Sequence, residues 1–392
     1  MKTLKRTWAD ISLDNLEYNY RSIRAHLPQG TKFLGVMKAD AYGHGAVPVS
    51  RALADLGAEY LAVSNLEEAV QIRRGEVRLP ILILGYTPAE YAANMIFLDI
   101  TQEVHSLEYA RELNEALAGT NYILNVHLKL DTGMTRIGFF AYDNERTLDE
   151  LRQVAQLPHL HIEGVFMHFC VADSRAEADV SFTKLQYKRF MDMLSAMAGV
   201  GIRPEIRHCC NSGATILYPE FALDMVRPGI ITYGNAPSDE LEGALSLRPM
   251  MSLHSMIAQV RTVPAGTDIS YGRLYRTKEE TRVAVLPIGY ADGLSRLLTG
   301  KASFYLQGHQ VPVIARICMD MCMIDVSGVP EAKPGDVVTI FGYDDDGTLL
   351  PCERLARAQG TINYELLCQI SKRIPRICHR GAETSQILQY IV

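Results

Sequence analysis

Lys38 stands at the end of a short apolar run, Phe33-Leu-Gly-Val-Met37, and is followed by two glycines around a histidine, Gly43-His-Gly45. Such a run reads as a buried strand entering a tight loop, and strand ends of this kind carry the chemistry in (β/α)8 barrels. A lysine desolvated there becomes nucleophilic near neutral pH and can form a Schiff base with a carbonyl. The plainer alternative is a lysine snorkelling from the barrel rim.

Other polar residues fall at equivalent positions. Tyr42 also follows the first run, Arg136 follows the fifth, His168 ends the sixth, Asn211 and Ser212 follow the seventh, and Arg227 ends the eighth. Packing accounts for the apolar residues of such runs but not for repeated charged ones. The loops Asn211-Ser-Gly213 and Arg227-Pro-Gly-Ile230 offer a hydroxyl and backbone N–H groups where barrels commonly hold phosphate, although each alone also reads as a glycine turn. A phosphate facing a Schiff-base lysine suggests pyridoxal 5′-phosphate.

The elements that must position these groups are eight strand-like runs: Phe33–Met37, Tyr60–Ser64, Ile81–Leu84, Phe97–Thr101, Leu124–Leu130, Ile162–His168, Glu205–Cys210 and Leu223–Arg227. Helical spacing, as in Leu13, Leu16, Tyr20, Ile23 and Leu27, separates them. This predicts an α/β chain with an N-terminal TIM-like (β/α)8 barrel over residues 12–243. Strand-like runs joined by turns such as Gln307-Gly-His-Gln310 predict a mostly-β domain over 244–385, with residues 1–11 associating with it.

The 392-residue chain is 48% hydrophobic and 21% charged, with a formal net charge of −6 and no long basic stripe, which argues against a nucleic-acid partner. No signal peptide or membrane span is legible, so a cytoplasmic location is expected. Eight cysteines without a CxxC pair fit buried, reduced thiols. His208-Cys209-Cys210 invites a metal reading, but neighbouring strand residues point to opposite faces, and no metal site is expected.

The fifth run poses a charge problem. In Val126-His-Leu-Lys-Leu-Asp131 the alternation sends His127, Lys129 and Asp131 to one face, and Lys129 then lies near Arg136. Two buried cations need a negative partner, which Asp131 can supply.

Taken with Met37-Lys-Ala-Asp-Ala-Tyr-Gly-His-Gly45, Leu130-Asp-Thr-Gly-Met-Thr-Arg-Ile-Gly138, Ser270-Tyr-Gly272, Ile288-Gly-Tyr-Ala-Asp-Gly293, Arg316-Ile-Cys-Met-Asp320 and Ile362-Asn-Tyr-Glu365, these residues resemble the alanine racemase family of fold-type III pyridoxal-phosphate enzymes. The resemblance runs from Thr7-Trp8 to about Arg376, with its motifs in order. It implies that Lys38 carries the cofactor and that Tyr271, from the second domain of a partner subunit, is the opposing base in a homodimer with shared sites. It further implies that Tyr42, Ser212, Gly229, Ile230 and Tyr364 hold the phosphate and that Arg227 meets the pyridine nitrogen. By the same resemblance Arg136 and the Met319 backbone N–H would receive the substrate carboxylate, and His168 would link Tyr271 to Arg227. Tyr290, Asp173, Arg316 and Ile362 match the entryway, and Lys129 is expected as an N-carboxylysine whose reversed charge holds Arg136.

The expected activity is interconversion of L- and D-alanine, supplying D-alanine for peptidoglycan. Two bases must flank a planar carbanion, and lysine and tyrosine, with ordinary pKa values of roughly 10, need nearby cations to serve near neutral pH. A guanidinium at the ring nitrogen does not protonate it fully, which weakens the electron sink and limits transamination. Serine or broad small-amino-acid racemisation stays open, because Arg273-Leu274-Tyr275 and Cys170-Val171 depart from the commonest form of their motifs. Two other classes are a non-catalytic pyridoxal-phosphate carrier, which would not need Tyr271 or the second domain, and a decarboxylase, which would not clamp the carboxylate with an arginine. His44, Cys318 and Trp8 read as structural.

Overall fold

A computed structural model describes residues 6–142 and 144–391. The chain divides into two compact units: one comprises residues up to Asn15, Tyr42–Gly45 and everything from Pro249, and the other comprises Leu16–Ala41 and Ala46–Arg248.

The larger unit is an eight-stranded parallel barrel. Its strands are Lys32–Val36, Tyr60–Val63, Ile81–Ile83, Ile100–Val104, Leu124–Asp131, Leu160–Phe166, Ile206–His208 and Met225–Val226. The first seven pair in parallel, each with the next, and the eighth pairs on the first through Met225↔Lys32 and Val226↔Phe33. The seventh and eighth strands are joined by two backbone bonds, Asp224 N–H to Arg207 at 3.0 Å and Arg227 N–H to Cys210 at 2.9 Å.

The helices follow the expected spacing. In Leu13–His26 the residues Leu16, Tyr20 and Ile23 are buried, which is the three-and-four pattern of one helix face. Asn65 and Ser106 cap two others by accepting from the N–H groups of Glu68 and Tyr109, which satisfies donors left over at a helix start. The fourth strand departs from the expected Phe97–Thr101. Phe97 ends the helix Ala92–Phe97 and is 69% exposed, Asp99 turns the chain with φ 52°, and pairing starts at Ile100. An apolar pair at a helix end carries the same local signal as a strand.

The smaller unit is mostly β. Its eleven-stranded sheet includes Thr7–Ser12, which lies antiparallel to Met251–Met256 and parallel to Arg376–Arg380. The apolar stretch around Ser252–Val260 forms two strands, Met251–Met256 and Gln259–Val263. The turn between Ser303–Leu306 and His309–Ile314 is a two-residue hairpin in which Gln307 and Gly308 have φ 51° and 79°, the signs of a type I′ turn. Among the described residues no helix is long and apolar enough to cross a membrane.

Candidate active site

The barrel interior at its carboxyl end is unusually cationic and polar. Met37 continues the first strand by donating its N–H to Ala62 at 2.7 Å, and half-buried Lys38 follows it. The backbone then enters a left-handed turn, with Ala39, Asp40, Ala41 and Tyr42 at φ 53°, 55°, 56° and 52°. Left-handed helix costs each L-residue roughly 1–2 kcal/mol, so the turn stores strain beside Lys38. Side chains hold it: Glu68 accepts from Ala39 N–H at 2.7 Å and Asp40 accepts from Ala46 N–H at 2.8 Å.

Arg227 is the centre of the polar column. Its Nη1 donates to Nδ1 and to the carbonyl of His208 at 3.0 and 3.1 Å, and Nη2 donates to the carbonyls of Met167 and Cys209 at 2.7 and 3.0 Å. His168 Nδ1 lies 3.4 Å from the same Nη2. No carboxylate pairs with Arg227 among the described residues, and burial lowers its pKa to about 10, which still leaves it charged at neutral pH. Burial, then the charge of Arg227, holds His168 and His208 well below the ordinary imidazole range.

Lys129 is buried, its Nζ donating to the carbonyl of Leu130 at 3.0 Å. Asp131 does not hold it, contrary to the simple ion pair considered from sequence: Oδ1 of Asp131 accepts from the N–H groups of Gly133 and Thr135, closing the loop that carries Arg136. Burial first, and Arg227 second, lower the Lys129 pKa to about 8. Arg136 is exposed on that loop.

The two glycine loops meet. Ser212 Oγ accepts from Gly229 N–H at 2.8 Å, and Ile230 opens the short turn Ile230–Tyr233. Asn211 caps Ser212–Leu217 by accepting from Ala214 N–H, and a Cβ on Gly213 would stand 2.9 Å from Ala172 and from Asp173 Cβ. Asp173 therefore lies against the same loop, and burial raises the pKa of its carboxyl.

The remaining residues belong to the smaller unit. Tyr42 and Tyr364 pack with ring centroids 5.9 Å apart, and burial raises the Tyr42 pKa. The backbone at Gly43 is pinned: Arg376 Nε donates to its carbonyl at 2.9 Å, and a Cβ there would meet the Leu367 carbonyl at 2.4 Å. Tyr271 is 70% exposed in a turn where Ser270, Gly272 and Arg273 all have positive φ. Ser270 Oγ donates to the Arg316 carbonyl at 2.9 Å, and the Arg316 guanidinium occupies the space a Cβ of Gly272 would need. Beside them, Tyr290 N–H donates to Cys318 and Ala291 N–H to Met319, each at 3.0 Å, so Tyr290 and Met319 are presented together. Buried Asp292 anchors this pair by accepting from Gly289 N–H and pairing with Arg6 and Arg373. Ile362, 62% exposed, precedes the helix Asn363–Gln369 that carries Tyr364.

Arg376 and Asp292 were not singled out from sequence, and for His127 and His208 the sequence shows neither the contact between them nor that of His208 with Arg227. Both ring nitrogens of His208 face Arg227 and His127 rather than a metal, and no cluster of metal-ligating side chains occurs among the described residues. Strand alternation places His127 on the same face as Lys129, and both are buried.

Two family models match the chain: alanine racemase, N-terminal domain, over residues 11–237, and alanine racemase, C-terminal domain, over residues 250–378. The alanine racemase of Desulfovibrio desulfuricans is 46% identical over 370 residues, 94% of this chain and 97% of that protein. That of Clostridium tetani is 42% identical over the whole of both chains. Among solved structures, alanine racemase of Clostridium difficile 630 superposes with a TM-score of 0.94 at 40% identity, covering 100% of each chain. The Bacillus anthracis enzyme with bound L-Ala-P superposes with a TM-score of 0.93 at 34% identity, covering 100% of this chain and 99% of that one. With the barrel, the mostly-β domain and full-length relatives in agreement, the chain belongs to the alanine racemase family.

Proposed function

We propose that this enzyme interconverts L- and D-alanine with pyridoxal 5′-phosphate at Lys38, and that its product D-alanine serves peptidoglycan synthesis. The observation that carries this reading is Arg227, a buried guanidinium with no acid against it at the end of the barrel. An acid in that place would protonate a pyridine nitrogen and strengthen the electron sink, whereas an arginine leaves it weak, as racemisation without transamination requires.

The residues present fit the cofactor. Gly213 keeps its loop open where any Cβ would collide with Ala172, and Ser212 Oγ and the Gly229 and Ile230 backbone lie together for a phosphate, with Tyr42 and Tyr364 as its phenolic partners. When bound, the cofactor supplies the sink for the electron pair left by loss of the α-proton. Lys38 removes or returns that proton on one face, and the partner subunit's Tyr271 acts on the other. Arg136 and the Met319 N–H orient the substrate carboxylate, and His168 couples Tyr271 to Arg227. Tyr290, Asp173, Arg316 and Ile362 border the approach and restrict it to a small side chain.

Lys129 completes the set. Its neutral amine attacks carbon dioxide and loses a proton, giving an N-carboxylate that accepts from Arg136. Circular dichroism of L-alanine, D-alanine and L-serine with the purified holoenzyme tests the whole proposal. Both alanine signals should decay to zero while serine changes far more slowly. Equal rates on serine would replace alanine by a broader substrate class, and no change on any amino acid would overturn racemisation.

A further inference from the structure

Barrel interiors are ordinarily filled by branched aliphatic side chains. Here a hydrogen-bonded column runs down the axis from Arg227. Nη1 of Arg227 lies 3.0 Å from His208 Nδ1, His208 Nε2 lies 2.9 Å from His127 Nδ1, and His127 Nε2 lies 3.0 Å from Glu163 Oε2. Tyr60 and Thr101 also donate to that carboxylate oxygen, at 2.8 and 3.3 Å.

The protons on this column follow from its two ends. A guanidinium has only N–H groups, so His208 Nδ1 must accept, and a neutral imidazole then carries its proton on Nε2. That proton faces His127 Nδ1, which must in turn accept and leave the His127 proton on Nε2, directed at Glu163. A second proton on either ring would set one N–H against another, and burial lowers the pKa of both rings. Glu163 stays ionised because its hydrogen-bond donors, His127 foremost, outweigh its partial burial. The rings are also fixed in place: Phe166 stacks on His208 at 4.9 Å and 12°, and a Cβ on Gly164 would stand 2.5 Å from the His127 ring.

We propose that Glu163, with His127 and His208, is a positioning chain for Arg227: the acceptor oxygen of Glu163 sets both imidazoles in the Nε2–H form, so that His208 Nδ1 accepts from the guanidinium and holds it in one orientation. Its consequence for catalysis rests on the reading that Arg227 meets the cofactor nitrogen; its proton arrangement does not.

The test is nitrogen-15 NMR of the histidine-labelled full-length protein, with His127 and His208 assigned from single His→Gln variants, alongside racemisation by the holoenzyme. The wild type should show both rings neutral and Nε2-protonated at pH 7.5. Glu163→Leu should shift or broaden both Nε2–H signals, lower alanine turnover roughly 10-fold as loss of an orienting partner does, and raise the fraction of cofactor lost to pyridoxamine phosphate. Glu163→Gln should preserve both signals and most of the rate, because the oxygen that accepts from Tyr60 and Thr101 can still accept from His127. An Nδ1–H or doubly protonated ring in the wild type, or unchanged signals in Glu163→Leu, would overturn the chain. If Glu163→Leu does not fold, the wild-type tautomers and the Gln variant decide it. Correct tautomers in a protein inert toward alanine would instead sink the racemase reading and leave the chain standing.

Discussion

Lys129 and Arg227 share one aromatic ring: Nζ of the lysine and the guanidinium carbon of the arginine each lie 5.4 Å from the centre of the Phe166 ring. The ring's negative face offsets part of the cost of two neighbouring cations, but no carboxylate pairs with either among the described residues. With its pKa lowered to about 8, roughly a tenth of Lys129 is neutral amine at pH 7, against well under a thousandth for an exposed lysine. That fraction is the form that reacts with carbon dioxide. Protein equilibrated with carbon-13 bicarbonate should show a carbamate resonance that Lys129→Ala lacks. The variant should keep its cofactor but lose turnover by roughly 10-fold or more, with partial rescue by acetate. A bare ammonium in fully active enzyme would refute the modification.

Lys38→Ala should abolish both the visible absorbance of the bound cofactor and racemisation, and borohydride should then fix no cofactor to the chain. Lys129 is the other lysine near the same centre, since burial and cations there lower its pKa and leave it partly nucleophilic. Covalent capture by Lys129 with activity retained would reassign the attachment point.

Much of this arrangement was legible in the sequence because it sits at strand ends, where an apolar run breaks to a charged residue: Lys38, His168 and Arg227 are all of this kind. What was not legible is the contacts between strands. His127 and Glu163 lie within strands, and a buried polar side chain in a strand looks locally like any alternation; only their partners on other strands give them a role. His208 stood out only for its adjacent cysteines, where no metal site is expected, while its contacts are with Arg227 and His127, 19 and 81 residues away. Arg376 lies far along the chain from Gly43, and no local pattern connects them.

Shared sites should be visible by complementation. Tyr271 is 70% exposed, on a turn held by Ser270 and Arg316, an arrangement suited to reaching into a second copy. Mixing Lys38→Ala with Tyr271→Phe subunits should restore activity above either parent, because each heterodimer has one site with both groups intact. Full activity in a dilute, demonstrably monomeric sample would count against sharing.

Gly213→Val should weaken cofactor binding more than folding. Even a Cβ there would press on Ala172 and Asp173 at 2.9 Å, and overpacking of this sort costs about 1–3 kcal/mol, here by displacing the loop that carries Ser212. Equilibrium dialysis of pyridoxal phosphate against urea midpoints of the apoprotein separates the two effects. Unchanged affinity would remove the loop from the phosphate site.

The buried imidazoles should make the fold acid-sensitive in a defined window. His127 and His208 are fully buried with pKa values below the ordinary 6.5, mainly from burial, with Arg227 adding to the effect on both and Lys129 to that on His208. The unfolded chain therefore takes up these protons first. Their stabilising contribution is complete above pH 6.5 and is lost as pH falls below it, at up to about 1.4 kcal/mol per pH unit for each ring that remains neutral when folded. Glu163 and Tyr60 face the same rings. The Glu163 pKa lies below 4.5, so its own contribution fades only at lower pH, and the raised pKa of Tyr60 keeps it neutral throughout. Urea midpoints of the apoprotein should fall between pH 6.5 and 5, and His208→Gln, although less stable at pH 7, should lower the slope by about one proton. A wild-type slope unchanged by that substitution would mean that His208 takes up its proton in the folded barrel as readily as in the unfolded chain.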